Sequence, residues 1–140
     1  MKSLFLPNTK LSIVSPRVSF GLLLLRLVVG IAFIGHGWGK IHTPFSWMPP
    51  EAPVPGFFQG LAALAEFGGG IALIFGALTP IVSLGLICTM AVAAIFHISK
   101  GDAYQVWEIA LLYLVISIFF FLAGPGKYSV DSFMDDKFRR

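Results

Sequence analysis

Four long apolar runs constrain the fold of this 140-residue chain more than any other feature of its sequence. They cover residues 18–38, 57–77, 80–96 and 106–123, and their charged side chains are Arg26, Glu66 and Glu108. Each run approaches the ~20 residues with which a helix crosses a bilayer core. Lipid offers no hydrogen-bond partner to an open sheet edge, so helices are expected rather than strands. The sequence therefore predicts an all-α membrane protein, built as a bundle of four transmembrane helices.

Composition agrees with this prediction. Hydrophobic residues make up 56% of the chain and charged residues 12%, whereas soluble domains carry about 25% charged residues. The first run is expected to be retained as a helix, because Arg26 interrupts it and no small-residue cleavage site follows it. The single cysteine, Cys88, excludes a disulfide within the chain and is expected to be buried and inert.

Turn signals divide the chain into helices predicted at 17–39, 57–75, 80–98 and from about 104 to 123. Between the first two helices, residues 41–56 contain five prolines and are predicted as an interfacial loop. Pro16 marks the start of the bundle, and Gly124-Pro125-Gly126 marks its end. We accordingly expect an N-terminal tail at 1–16, the bundle at 17–126 and an amphipathic tail at 127–140.

Basic residues lie mostly in the two tails, which predicts that both termini are cytoplasmic. They are Lys2, Lys10, Arg17, Lys127, Lys137, Arg139 and Arg140. The net charge of +3 belongs mainly to these tails, and no nucleic-acid-binding patch is expected.

The stretch GHGWGK at the end of the first run is similar to several glycine-rich motifs, and each can be compared with it. It lacks the spacing and the hydroxyl residue of a phosphate-binding P-loop, and Lys40 stands where a dinucleotide fingerprint needs its third glycine. What remains is Gly35-xxx-Gly39, a small-residue spacing that lets membrane helices approach closely.

Two ionisable residues are expected near the middle of the bilayer. Arg26 lies about nine residues from the cytoplasmic end of helix 1, and Glu66 about nine residues from the outer end of helix 2, at ~1.5 Å per residue. An isolated charge at that depth costs ~2.5–3.5 kcal/mol or more. We therefore expect Arg26 and Glu66 to pair, or Glu66 to carry a proton.

Further polar residues are expected together at the outer end of the bundle. They are His36, Lys40, Gln59, His97, Lys100, Tyr104 and Glu108. Arg26, Gly30, Phe33, Gly37 and Lys40 share one face of helix 1, while His36 lies ~80° from it. The arrangement predicts an outward-opening polar funnel with the Arg26–Glu66 pair at its floor. Metal binding by His36, His97 and Glu108, or haem ligation by the two histidines, has no specific motif, so no metal site is assigned.

Five blocks of sequence resemble the DoxX family of small bacterial membrane proteins. They are LLLRLVVGIAFIGHGWGKI, ALAEFGGGIALIFGALTP, FHISKG, WEIALLYL and GPGKYSVD, in the family's order. The resemblance implies a four-helix protein of the bacterial inner membrane, in a family whose members are often described as oxidoreductases. It further implies that Arg26, His36, Gly37, Lys40, Glu66, Gly69, His97 and Glu108 occupy the family's recurrent polar and glycine positions.

Two functions remain open from the sequence. In the first, the protein belongs to a membrane redox system that handles a quinone or a small sulfur or phenolic substrate. It would have no intrinsic cofactor or redox centre of its own, and would depend on a quinone, a cofactor or a redox partner subunit. His36, His97 and Glu108 would then move protons, while Arg26, Lys40, Gln59, Glu66 and Tyr104 bind substrate. In the second, it is a non-enzymatic adaptor that binds lipids or a partner protein, or forms a homo-oligomer.

The predicted topology is testable by cysteine labelling. Cysteines introduced at Ser3 and Ser132 should resist a membrane-impermeant thiol reagent in intact cells, because both tails are expected inside. A cysteine at Ser46 should react. Labelling at Ser3 without labelling at Ser46 would reverse the orientation.

Overall fold

The computed structural model describes residues 15–138 and consists, over that range, of five α-helices. They are α1 (Pro16–His42), α2 (Gly56–Phe75), α3 (Thr79–Ser99), α4 (Tyr104–Ala123) and α5 (Val130–Phe138). The first four are long and apolar enough to cross a membrane. The predicted all-α, four-span architecture is confirmed. The first fourteen residues and the last two, including Lys2, Lys10, Arg139 and Arg140, lie outside the described range.

Local sequence explains where the helices begin and end. The Ser15 hydroxyl caps α1 by accepting a hydrogen bond from the Val18 amide at 3.3 Å, and Pro16 follows it in the first turn. Gly76 ends α2 in the left-handed conformation, with φ of 64°. The two-residue link to α3 that follows makes α2 and α3 antiparallel neighbours.

The short connections give the bundle two distinct ends. We call the end at which α1 and α3 finish and α2 and α4 begin the Lys40 end. The opposite end, which carries α5, is the tail end. Between them lies an apolar core formed by Leu22, Val29, Phe33, Leu73, Leu86, Met90 and Phe120. The Phe33 ring on α1 reaches Tyr113 on α4 with ring centroids 5.0 Å apart, which joins the first and last spans.

Glycine lets α1 and α2 pack with their backbones in close contact. A Cβ atom at Gly37 would stand 2.5 Å from the Phe67 backbone nitrogen, and one at Gly30 would stand 2.8 Å from the Gly70 carbonyl oxygen. A Cβ atom at Gly70 would in turn lie 2.8 Å from the Gly30 carbonyl oxygen. These distances leave no room for a side chain, so the contact depends on glycine.

The predicted packing through Gly35-xxx-Gly39 is wrong. A Cβ atom at either position would meet no atom of the described residues within 4 Å. Both glycines lie off the face shared by Gly30, Phe33 and Gly37, and it is that face that helical periodicity turns toward the other helices.

The prediction that Cys88 is buried is also wrong, because its side chain is exposed on the outer surface of α3. Apolar positions of a membrane helix face lipid as readily as they face the core. Hydrophobicity alone therefore does not separate the two environments.

A pair of glycine substitutions on α1 tests the close packing. Gly37→Ala should destabilise the detergent-solubilised protein by about 1–3 kcal/mol, because the new methyl group collides with the α2 backbone. Gly35→Ala, two residues away on the open face, should be neutral or slightly stabilising, since alanine favours helix. Thermal unfolding of the two variants provides the comparison, and equal melting temperatures would contradict the packing described.

Candidate polar site at the Lys40 end

A buried ion pair between α1 and α2 is the main polar feature of the bundle. The Lys40 ammonium donates to both carboxylate oxygens of Glu66, with Nζ–Oε1 and Nζ–Oε2 distances of 2.7 and 2.6 Å. Glu66 is 1% exposed, while the Lys40 side chain keeps 25% of its surface accessible. The carboxylate is therefore enclosed, and the Lys40 side chain forms the accessible side of the pair.

The predicted pairing of Glu66 with Arg26 is wrong. Side chains of a helix lean toward its N-terminus. Because α1 and α2 are antiparallel, Arg26 leans toward the tail end and Glu66 toward the Lys40 end. Counting residues from the predicted helix ends placed both residues at similar depth, whereas the observed packing sets Gly37 against Phe67 and Arg26 against Gly76, further along α2. The Lys40 side chain can reach Glu66, because it leans from the end of α1 back toward the membrane interior.

Arg26 is fully buried at the tail end, away from the Lys40 pair. Its Nη1 atom donates to the Ile74 carbonyl oxygen at 3.3 Å, and its Nη2 atom donates to the Tyr128 carbonyl oxygen. The Arg26 side chain therefore joins α1 to the end of α2 and to the segment that follows α4. It does not form the floor of a funnel at the Lys40 end.

The proline-rich loop covers the ion pair from one side. The Lys40 ammonium lies 4.5 Å from the centre of the Trp47 ring, within the range of a cation–π contact. The Trp47 indole donates to the Gln59 carbonyl oxygen at 3.0 Å, which fixes the ring over the start of α2. The sequence predicted an interfacial loop here, but not the contact between its Trp47 and Lys40.

Gln59 is buried and holds the loop in place. Its side-chain oxygen accepts from the Met48 amide at 3.0 Å, and its side-chain nitrogen donates to the Val54 carbonyl oxygen at 2.9 Å. The amide of Gln59 is thus engaged on both sides by residues 48–54. In the structure it positions the loop that carries Trp47.

The remaining polar residues of the Lys40 end do not converge on the pair. His36 is exposed and meets the edge of the Tyr113 ring, with centroids 5.8 Å apart. Tyr104 and Glu108 on α4 are also exposed. Among residues 15–138, no hydrogen bond or ion pair links any of the three to Lys40 or Glu66. His36 points outward because it lies off the packed face of α1, as its helical phase already indicated.

His97 forms a separate pair with a residue that sequence reasoning missed. Its Nδ1 atom lies 2.7 Å from an Asp102 carboxylate oxygen, and both side chains are about one-third exposed, at 34% and 27%. Asp102 follows the glycine turn at Gly101, where φ is 75°. The sequence signal for this pair was the spacing of five residues between His97 and Asp102 across the end of α3. Within the described chain, no group of three His, Cys, Asp or Glu side chains is placed to hold a metal ion.

The comparisons with known proteins give a consistent family. The DoxX family model matches residues 21–98 of this chain. The chain is 34% identical to the inner membrane protein YqjF of Escherichia coli (strain K12) over 122 residues, which are 84% of this chain and 94% of that protein. It is 30% identical to "Putative oxidoreductase CatD" of Bacillus subtilis (strain 168) over 116 residues, 81% of this chain and 87% of that protein. No solved structure matches.

A double-mutant cycle tests the ion pair. Lys40→Met and Glu66→Gln should each destabilise the solubilised protein, because each leaves a partly or fully buried charge without its partner. The double variant should lose less than the sum of the two, with a coupling of about 0.5–3 kcal/mol. Chemical or thermal unfolding in one detergent measures all four proteins.

The matched control is the cycle between Arg26→Met and Glu66→Gln. These residues lie at opposite ends of the bundle, so their effects should add within about 0.5 kcal/mol. Coupling between Arg26 and Glu66 that exceeds the coupling between Lys40 and Glu66 would contradict the assignment.

Proposed function

This chain belongs to the DoxX family of multi-pass inner membrane proteins, and from that premise we propose that it binds a quinone at the Lys40–Glu66 pair as a component of a membrane redox system. A relative at 30% identity carries the name "Putative oxidoreductase CatD", which favours redox chemistry over other roles for this chain. The sulfur and phenolic substrates suggested by the sequence would enter the same site, but a quinone fits its chemistry best.

The observation that supports this proposal most directly is the partly exposed side chain of Lys40, whose ammonium binds an enclosed carboxylate. An ammonium has three N–H donors, and Glu66 takes two of them in the structure. The third is left for an acceptor such as a quinone carbonyl oxygen. Since ionisable groups inside membrane spans are costly, their presence commonly marks a functional site.

The surroundings of Lys40 suit the two parts of a quinone. The Trp47 ring offers a flat aromatic surface within 4.5 Å of the ammonium, against which a quinone ring can stack. The exposed apolar side chains of α1 and α2 nearby, including Trp38, Leu61 and Leu64, offer a surface for an isoprenoid tail. The quinone ring would thus contact the charged Lys40–Glu66 pair, while its isoprenoid tail stays in the lipid.

Reduction of a quinone to a quinol takes up two electrons and two protons. In this proposal a partner subunit supplies the electrons, and Glu66 and Lys40 exchange protons with the ring oxygens. His97, with its Nδ1 atom held by Asp102, keeps Nε2 as the free ring nitrogen and can pass protons to and from water at the same end. His36, Tyr104 and Glu108 have outward positions that suit proton exchange less well than His97 does.

The second candidate is a non-enzymatic adaptor, and one observation favours it. His36 and Glu108 are exposed on the surface of the bundle, whereas ionisable groups in membrane helices usually face the interior. A partner helix that covers them would explain this exposure. In that case, His36→Ala with Glu108→Ala should abolish co-purification of a partner and leave quinone binding unchanged.

Quinone binding to the purified protein tests the first proposal. The protein in nanodiscs should bind ubiquinone or menaquinone saturably, as measured by quenching of tryptophan fluorescence and by native mass spectrometry. Lys40→Met should weaken binding at least tenfold, because the carbonyl loses its donor. Lys100→Met and Glu51→Gln are the matched controls, since both change an exposed charge at the same end. Equal binding by Lys40→Met and Lys100→Met would refute the site.

A further inference from the structure

A second polar site lies at the tail end, where a carboxylate from the C-terminal segment is bound as an anion. Asp131 in α5 accepts two backbone hydrogen bonds from the start of α3. The Leu78 amide donates to Oδ1 at 2.8 Å and the Thr79 amide donates to Oδ2 at 2.9 Å. The Asp131 amide returns a hydrogen bond to the Gly76 carbonyl oxygen at 3.0 Å. The carboxylate thus occupies the position at a helix N-terminus where anions are stabilised.

A buried positive charge adds to this position. The side chain of Arg26 is 0% exposed and packs so closely on Gly76 that a Cβ atom there would overlap Nη1. Its hydrogen bonds go to the neutral carbonyl oxygens of Ile74 and Tyr128. The Asp131 amide binds the carbonyl oxygen of this same Gly76, so Asp131 and Arg26 lie against one turn. The guanidinium therefore has electrostatic compensation without a direct ion pair among the described residues.

Unpartnered polar atoms are found on two residues beside this position. The hydroxyl of Thr79 and the Nε atom of Arg26 are fully buried and have no hydrogen-bond partner among the described residues. The hydroxyl of Ser83, one turn further along α3 on the same face, is also buried and without a hydrogen-bond partner among the described residues. Buried donors without partners are uncommon in proteins and indicate a place for a ligand or an ordered water.

We propose that the α3 N-terminus, Thr79 and Arg26 form an oxyanion site, that Asp131 is its resident intramolecular ligand, and that a phosphate-type oxyanion takes the same place when the tail is released. The ligand class follows from the donors, which are two backbone amides, a hydroxyl and a guanidinium. Free phosphate and the phosphate of an anionic lipid headgroup share this chemistry. The tail is then a strap that competes with an external anion for one site.

The position of the strap fits this role. It follows the buried Gly124-Pro125-Gly126 turn, which anchors its start, and α5 carries the exposed side chains of Val130, Phe133 and Met134. Release breaks the contact of Tyr128 with Arg26 and the contacts of Ser129 and Asp131 with the turn at Gly76 and the start of α3. The four membrane spans keep their own contacts.

Chemical rescue tests the site in the full-length protein. Asp131→Ala removes the resident carboxylate and should lower the melting temperature by about 5 °C, because Arg26 and the α3 amides lose their anion. Asp136→Ala is the matched control, an exposed acid in the same helix. Phosphate should restore the Asp131→Ala variant saturably, whereas potassium chloride at equal ionic strength should not. The parent protein should respond weakly, since Asp131 already fills the site.

Two further arms identify the ligand and keep the test decisive. Rescue by inorganic phosphate in phosphatidylcholine nanodiscs assigns a free anion, and rescue by phosphatidylglycerol alone assigns a lipid headgroup. Adding Thr79→Val to Asp131→Ala should reduce the rescue severalfold, because a donor of the oxyanion site is lost. The proposal is overturned if the Asp131→Ala and Asp136→Ala variants have the same melting temperature. It is also overturned if chloride restores the stability of Asp131→Ala as well as phosphate does, or if neither phosphate source restores that stability.

Discussion

The close contact between the backbones of α1 and α2 is the constraint on which the polar chemistry of this bundle depends. Gly30, Gly37 and Gly70 leave no space for side chains at the crossing. Lys40 therefore stands close enough to Glu66 for two hydrogen bonds below 3 Å. A side chain at the crossing would separate the helices and leave a carboxylate in an apolar interior, where an unpaired charge is strongly unfavourable. Packing and electrostatics are thus coupled at this helix pair.

Antiparallel helices also separate the charges of the bundle into two groups. Each long side chain leans toward the N-terminus of its own helix. Arg26 on α1 and Glu66 on α2 consequently find different partners at opposite ends, although their Cα atoms were expected at similar depth. The interior between the two ends is apolar, and Phe33, Leu86 and Met90 belong to its core. Two polar sites, rather than one continuous funnel, result from this geometry.

The two sites differ in what they leave accessible. At the Lys40 end the Lys40 side chain remains 25% exposed, and its ammonium lies beside the Trp47 ring. At the tail end the donors are already bound to Asp131 or enclosed beneath the tail. The first arrangement suits a substrate that enters from the membrane. The second suits a competition between the tail and an external anion, which would connect the C-terminal segment to the state of the bundle.

The sequence by itself determined the architecture and much of the orientation of residues around each helix. Runs of apolar residues near the length of a bilayer core leave few alternatives to spanning helices. Helical phase correctly separated Gly30, Phe33 and Gly37 from His36 on α1. The choice of partners was decided only by the tertiary structure, because it depends on how far and in which direction a side chain reaches across an interface. Lys40 rather than Arg26 binds Glu66, and Asp102 and Asp131, both outside the membrane spans, bind His97 and the start of α3. A one-dimensional pattern records the face on which a residue lies, but neither the register of neighbouring helices nor the reach of a side chain between them.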